Sequence, residues 1–257
     1  MNHTPGLSII VPTYNDAESV TQLARRIVKV MSDTDISYEI IFVDDHSTDL
    51  TRKKIRSLSQ AYPISTYVKK GKLGKGFSIY QGYSYAQYEH IAMIDADLQY
   101  PPEILPQLYE KALVSGFAVA NRKTYNSTWL RRVASRVNSF VFGKLLLGLN
   151  TDVQSGLKVF HREVFERLLP HQVSAWGMDI PLIHTAYNLG FTPGHVDIDF
   201  HPRDGGISKV NFLQTSWQIA KSALRTRFAR PRIHSFAPTD DTSMLNAGFA
   251  YKRKRFT

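Results

Sequence analysis

Short apolar runs alternate with helix-period stretches over the first hundred residues. Residues 7–11 read as a buried strand, which Pro12 is expected to end because proline offers no N–H to a sheet ladder. Val20, Leu23, Ala24, Ile27, Val28 and Met31 then recur at helical spacing. A second strand is expected at 38–43, a third at 64–68, a helix from about 75 to 88, and a further strand at 91–94. Strand, helix, strand in this rhythm argues for an α/β fold, with a mainly parallel sheet flanked by helices.

Ligands of such sheets sit beyond the carboxyl ends of the strands. Thr13-Tyr14-Asn15, Asp44-Asp45 and Asp95-Ala96-Asp97 each follow an apolar run, so separate strands aim polar groups at one edge. The second half is less regular. Helices are expected at 129–149 and 179–189, a strand at 157–160, and another at 194–201, where Val196, Ile198 and Phe200 alternate. From 212 to 228, Leu213, Trp217, Ala220, Leu224 and Phe228 mark one helical stripe flanked by Lys221, Arg225 and Arg227. Periodicity is lost after Arg230. The reading is therefore one catalytic-size domain over 1–229, closing on an amphipathic helix at about 211–228, and a basic tail over 230–257.

Asp95-Ala96-Asp97 is the sharpest chemical signal. Carboxylates at i and i+2 past a buried strand reach one divalent cation while Ala96 points away, and Gln99 adds an amide oxygen on the same side. Hard cations such as Mg²⁺ and Mn²⁺ take such oxygen ligands and leave positions for substrate phosphate. The plain alternative is a strand-end turn or a helix cap. In Asp44-Asp45-His46-Ser47-Thr48-Asp49, Asp45 is expected to accept from a ligand, and Asp49 to cap the helix that starts near Leu50. Gly71, Gly74 and Gly76 lack the Gly-Lys-Ser/Thr triplet of a P-loop and read as a turn opening a helix. Asp152 and Ser155, in the 151–156 loop, either line a site or make a turn. Arg203 and Lys209 around Gly205-Gly206, with Ser208 beside the second cation, form either an anion clamp or an exposed loop.

Composition narrows the class. The chain of 257 residues is 43% hydrophobic and 21% charged, which is ordinary for a globular protein. It has no cysteine, so thiolate metal sites and disulfides are excluded. No histidine pair has zinc spacing and no GxSxG elbow occurs. No signal peptide is visible, and the apolar stretch 140–149, broken by Lys144, is too short to cross a bilayer. A net charge of +10 favours anionic partners. Nucleic acid is not expected among them, since the acidic edge would repel its phosphates.

Together, Pro12-Thr13-Tyr14-Asn15-Asp16, the 44–49 block, Asp95-Ala96-Asp97-Leu98-Gln99-Tyr100-Pro101-Pro102-Glu103 and Gly206-Ile207-Ser208-Lys209 resemble family 2 glycosyltransferases of the GT-A (Rossmann-like) fold. The resemblance is greatest to polyprenyl- and dolichyl-phosphate mannose synthases and runs over 7–228. It implies that Pro12, Tyr14, Asp16, Val43 and Asp45 hold the nucleoside of a nucleotide sugar, and that Asp95, Ala96, Asp97 and Gln99 hold metal (Mg²⁺ or Mn²⁺) and diphosphate. Arg122, Arg203 and Lys209 would grip phosphates, with Asp95, Asp97, Arg203 and Lys209 carrying catalysis. Asp152, Ser155, Gly156 and Ser208 would lie by the acceptor. The implied activity is inverting transfer of a hexose, mannose from GDP-mannose, to a polyprenyl or dolichyl phosphate. A UDP-sugar donor, such as UDP-glucose, and a polysaccharide or protein acceptor are the alternatives.

Three positions depart from the usual motifs: Asp16 for Glu, His46 for Gly and Tyr100 for His. A lipid acceptor would place the enzyme at the cytoplasmic membrane face. There the 212–228 helix either lies in the interface or packs on the core, with a membrane-anchoring partner or a further transmembrane segment as other means of attachment.

Overall fold

The computed structural model describes residues 3–125, 153, 155–168 and 170–200. Its elements run β1 (Thr4–Thr13), α1 (Val20–Ser32), β2 (Tyr38–Asp44), α2 (Thr51–Leu58), β3 (Ile64–Val68), α3 (Lys75–Tyr85) and β4 (Tyr88–Met93). A short 3₁₀ turn at Pro102–Ile104 leads into α4 (Leu105–Ser115) and β5 (Gly116–Tyr125). After them come β6 (Lys158–His161), α5 (Glu163–Arg167), α6 (Asp179–Asn188) and β7 (Thr192–Phe200). The helices expected at 129–149 and 212–228, the residues Asp152, Arg203, Ser208 and Lys209, and the tail lie outside the described residues.

The strands form one seven-stranded sheet in the order β3-β2-β1-β4-β6-β5-β7. β1 pairs in parallel with β2 and β4, β2 with β3, and β5 with β7, whereas β6 runs antiparallel to both β4 and β5. The expected mainly parallel α/β sheet is therefore present, with one reversed strand that starts at the edge where β4 ends and runs back from it.

Both faces of the sheet are covered, which is why its central strands are continuously apolar rather than alternating. On one side Leu7, Ile9, Val11, Ile40 and Phe42 pack under α1 and α4 with Leu23, Ile27 and Leu108. On the other, Ile10, Ile41, Val43 and Met93 pack under α3 and α6 with Ile79 and Ile183. Truncating a fully buried aromatic such as Phe42 to alanine costs about 3–5 kcal/mol in a core of this kind. Among the described residues no helix is long and apolar enough to cross a membrane.

Two features differ from the sequence expectation. Pro12 does not end β1: the strand continues to Thr13, with Pro12 registered against Val43. The Thr13 carbonyl accepts from Asp45 on the β2 side, and the Ile10 carbonyl accepts from Ile94 on the β4 side. Pro12, two residues beyond Ile10, therefore turns its imide nitrogen toward β4 where that pairing has finished, and no ladder bond is lost. The second difference is α4 with β5. Leu105, Leu108, Tyr109 and Ala112 are buried at helical spacing, and Gly116 closes the helix in the left-handed conformation at φ 81°.

Candidate active site

The carboxyl ends of β1 and β2 are laced to each other. The backbone N–H of Asn15 donates to Ser47 Oγ at 2.9 Å, and the N–H of Thr48 returns to Asn15 Oδ1 at 2.8 Å. The N–H of Asp16 donates to Thr51 Oγ1, and the Asp16 carboxylate accepts from the N–H of Tyr14. Asp49 accepts from the N–H of Thr51 at the start of α2 and from the N–H of Ala17, so its expected helix-end role is joined by a cross-loop tie. Asp44 is fully buried and accepts from the N–H of Ser47, building the turn. That turn holds His46 at φ 61°, a left-handed conformation that glycine adopts at least cost. Asn15 and Leu98 are the other described non-glycine residues in the left-handed region, at φ 54° and 63°. All three follow strands at one edge, the kind of place where backbone strain is retained for function.

Asp45 lies at the floor of this edge. Its Oδ2 accepts from the N–H of Gly74 at 2.7 Å, and its Oδ1 lies 2.5 Å from the ammonium of Lys69, a charge contact off the hydrogen-bond angle. Burial lowers the Lys69 pKa, and Asp45 opposes that shift. Val43 is wholly buried beneath α3, so contact with a ligand there falls to its backbone. Pro12 is buried as well, whereas Tyr14 is about half exposed at 48%.

Asp95 and Asp97 follow β4 at the same edge, with Ala96 turned into the core as expected. Asp97 Oδ1 accepts from the N–H of Gln99 at 3.2 Å. The segment behind them is anchored to α1 by Arg26, which makes two 2.7 Å bonds to Glu103 and holds that carboxyl below the usual range. The pair is largely solvated and contributes no more than about 1 kcal/mol.

Lys75, the first residue of α3, places its ammonium 2.5 Å from Asp95 Oδ1. Burial works against that charge, but Asp95 and Asp179 outweigh it and raise the Lys75 pKa above the ordinary lysine value. Asp179 opens α6 and accepts from Lys158 at 2.7 Å; the buried Lys158 ammonium also donates to the Ser155 carbonyl. Alternating charges thus run from Lys158 through Asp179 and Lys75 to Asp95.

Gly156 sits against this chain. A Cβ there would stand 2.2 Å from Asp95 Oδ2 and 2.6 Å from Tyr100 Cε2. Ser155 is buried, and its hydroxyl donates to the Leu157 carbonyl within the turn. Arg122 lies on β5 beyond Val119, the last residue of that strand registered with β6, and so at the same edge.

Sequence reasoning had not singled out Lys69, Lys75, Lys158 or Asp179. Two of them had a faint signal: Lys158 is a lone charge inside an apolar run, and Asp179 reads equally well as a first-turn helix acid.

Two carboxylates at i and i+2 suit a hard divalent cation whose remaining positions are filled by diphosphate and water oxygens. Among the described residues no group of three or more His, Cys, Asp or Glu converges to enclose a metal.

Relatives of known name were found in sequence and in structure. The chain is 32% identical over 170 residues to a dolichol-phosphate mannosyltransferase from Pyrococcus furiosus, covering 62% of this chain and 47% of that protein. It is 27% identical over 213 residues to an undecaprenyl-phosphate 4-deoxy-4-formamido-L-arabinose transferase from Proteus mirabilis, covering 81% and 64%. The chain thus spans about half to under two thirds of the length of these curated relatives.

The fold resembles mannosyl-3-phosphoglycerate synthase from Rubrobacter xylanophilus (TM-score 0.69, 19% identity, 90% of this chain and 77% of that one). It also resembles glucosyl-3-phosphoglycerate synthase from Mycobacterium tuberculosis, solved in complex with Mn²⁺, UDP-glucose and phosphoglyceric acid (TM-score 0.65, 18% identity, 87% and 80%). The model of the family described as "Glycosyl transferase family 2" matches residues 8–169, well over half of the sequence, and the chain belongs to that family.

Proposed function

We propose that this glycosyltransferase moves a hexose from a nucleotide sugar to the phosphate of a polyprenol, with Asp95 and Asp97 as ligands of a Mg²⁺ or Mn²⁺ ion. The observation that carries the reading is that Asp95, met by Lys75 and Gly156, and Asp97 two residues on both follow β4 at the carboxyl edge that also holds Asp45. The names of the two curated relatives favour a polyprenyl-phosphate acceptor, and the Pyrococcus relative favours mannose.

In this reading Tyr14 and the loops of Asp16 and Asp45 hold the nucleoside. Asp95, Asp97 and Gln99 hold the cation, which supplies Lewis-acid stabilisation of the charge growing on the leaving diphosphate. An anionic oxygen of the lipid phosphate attacks the anomeric carbon. The bond from that carbon to the diphosphate breaks, and its electron pair leaves with the nucleoside diphosphate. Single displacement inverts the anomeric centre. The nucleophile carries no proton at neutral pH, so no general base is required. Arg122 and, from sequence, Arg203 and Lys209 bring the two anions together, with Ser155-Gly156, Asp152 and Ser208 beside the acceptor. The catalytic unit is taken as residues 1–229, working at a membrane face because the prenyl chain stays in lipid.

The test is transfer of labelled hexose from GDP-mannose and from UDP-glucose, each with Mn²⁺, to a short polyprenyl phosphate and to free sugars. The expected product is an acid-labile polyprenyl phosphohexose, lost in chelator. Transfer to free sugars alone would overturn the acceptor assignment.

A further inference from the structure

The two carboxylate oxygens of Asp95 are unequally placed. Oδ2 faces Gly156 so closely that even a methyl group on that residue would clash with it, and Tyr100 closes the same side. Oδ1 carries the Lys75 ammonium at 2.5 Å. The backbone beneath Lys75 has little freedom to withdraw. A Cβ on Gly74 would stand 2.4 Å from Ala175 Cβ, one on Gly76 would stand 2.1 Å from the Ser174 carbonyl oxygen, and the N–H of Gly76 donates to the Ala175 carbonyl at 2.9 Å. The Lys75 side chain is therefore the part that can move, and it is about a quarter exposed.

A divalent cation needs a carboxylate lone pair at about 2.0–2.6 Å. At Asp95 the oxygen that Gly156 does not hem in is the one that Lys75 covers, and an ammonium and a divalent ion on one oxygen repel each other. We propose that Lys75 is an internal counter-cation for Asp95 that a divalent metal must displace, so that Lys75 sets metal affinity and couples it to the nucleotide. This rests on the reading of Asp95 as a metal ligand. The displaced ammonium, still near Asp179, gains a second anion when the diphosphate arrives, so nucleotide and metal each bind better with the other present. By linkage, that reciprocal gain is one coupling free energy.

The test is a titration of the full chain with Mn²⁺, following free Mn²⁺ by electron paramagnetic resonance, alone and with saturating GDP or UDP. In Lys75→Met the Mn²⁺ dissociation constant without nucleotide is expected to fall about tenfold, and the gain on adding nucleotide to shrink by a similar factor. Unchanged constants in a folded Lys75→Met protein would overturn the proposal. Amine labelling of the wild-type protein, read by mass spectrometry, tests it without any substitution. Mn²⁺ is expected to raise labelling of Lys75 several-fold relative to Lys53; equal labelling would overturn it too. Asp95→Asn separates the underlying assumption. If wild-type Mn²⁺ affinity survives that change, the metal reading fails. If affinity is lost in Asp95→Asn but Lys75→Met does not tighten it, only the counter-cation proposal fails.

Discussion

Lys158 Nζ donates to Asp179 Oδ1 at 2.7 Å, joining the first residue of β6 to the first residue of α6 across the floor of the site. Lys158 is wholly buried, while the Asp179 side chain keeps 23% of its surface in contact with solvent. The pair thus spans the boundary between the second core layer and the site edge. Breaking it removes the cation that donates both to Asp179 and to the Ser155 carbonyl.

Replacing Lys158 with methionine fills the same space but removes the hydrogen-bond donor of Asp179, leaving Lys75 as a neighbouring cation. Discounted for the solvent at Asp179, the expected destabilisation is about 1–3 kcal/mol. Urea denaturation of the two proteins measures it; a midpoint unchanged within error would mean that the pair contributes nothing to the fold.

Gly156→Ala places a methyl group where Asp95 Oδ2 stands. The expected outcome is a loss of transfer of at least about 100-fold, the scale of a misplacement of roughly 1 Å at a reacting centre. The protein should remain folded by circular dichroism. Wild-type rates in Gly156→Ala would show that Asp95 does not need its present position.

His46→Gly tests the strained turn after β2. The exposed His46 holds φ 61°, a conformation that costs an L-residue roughly 1–2 kcal/mol and glycine little. Against that, glycine loses more entropy on folding. The expected result is a protein more stable by about 0.5–1 kcal/mol, read as a higher Tm. A lower Tm would mean that the imidazole makes a stabilising contact.

His90 makes stability depend on pH at the opposite end of β4. Its ring is buried between Tyr109 and His161 with Nδ1 lacking a hydrogen-bond partner among the described residues, and burial, aided by His161, pushes its pKa from 6.5 down to about 3. The folded protein holds this ring neutral, while the unfolded chain protonates it below 6.5. The unfolded state therefore binds more protons in the window between these values. The contribution of His90 is complete above pH 6.5 and declines as pH falls toward 3. The slope is on the order of 1 kcal/mol per pH unit within that window. Chemical denaturation at pH 7 and pH 5 of wild type and His90→Leu checks it: the substitution should flatten the difference, and equal slopes would exclude His90 as its source.

Much of this arrangement was legible before any coordinates. The buried strands read clearly because both faces of the sheet are covered, so their residues are apolar without interruption, as Ile40 to Val43 are. The edge read clearly because acids end two of those strands. Pro12 misled, since a rule about lost hydrogen bonds applies only where a neighbouring strand persists, and β4 has finished by then. Lys75 and Asp179 stayed hidden for a different reason. They are ordinary helix-start residues in sequence, and only the packing of Gly74 and Gly76 on Ser174 and Ala175 brings their helices to one carboxylate. Pairings between distant segments leave no local period.

The central claim is that Asp95 and Asp97 share one divalent cation with the donor diphosphate. A crystal grown with Mn²⁺ and the nucleotide sugar, read by the anomalous signal of manganese, tests it most directly. A manganese peak is expected about 2.0–2.6 Å from an oxygen of each aspartate and from the diphosphate. Donor bound at this edge or elsewhere, with no manganese at the two side chains, would contradict it.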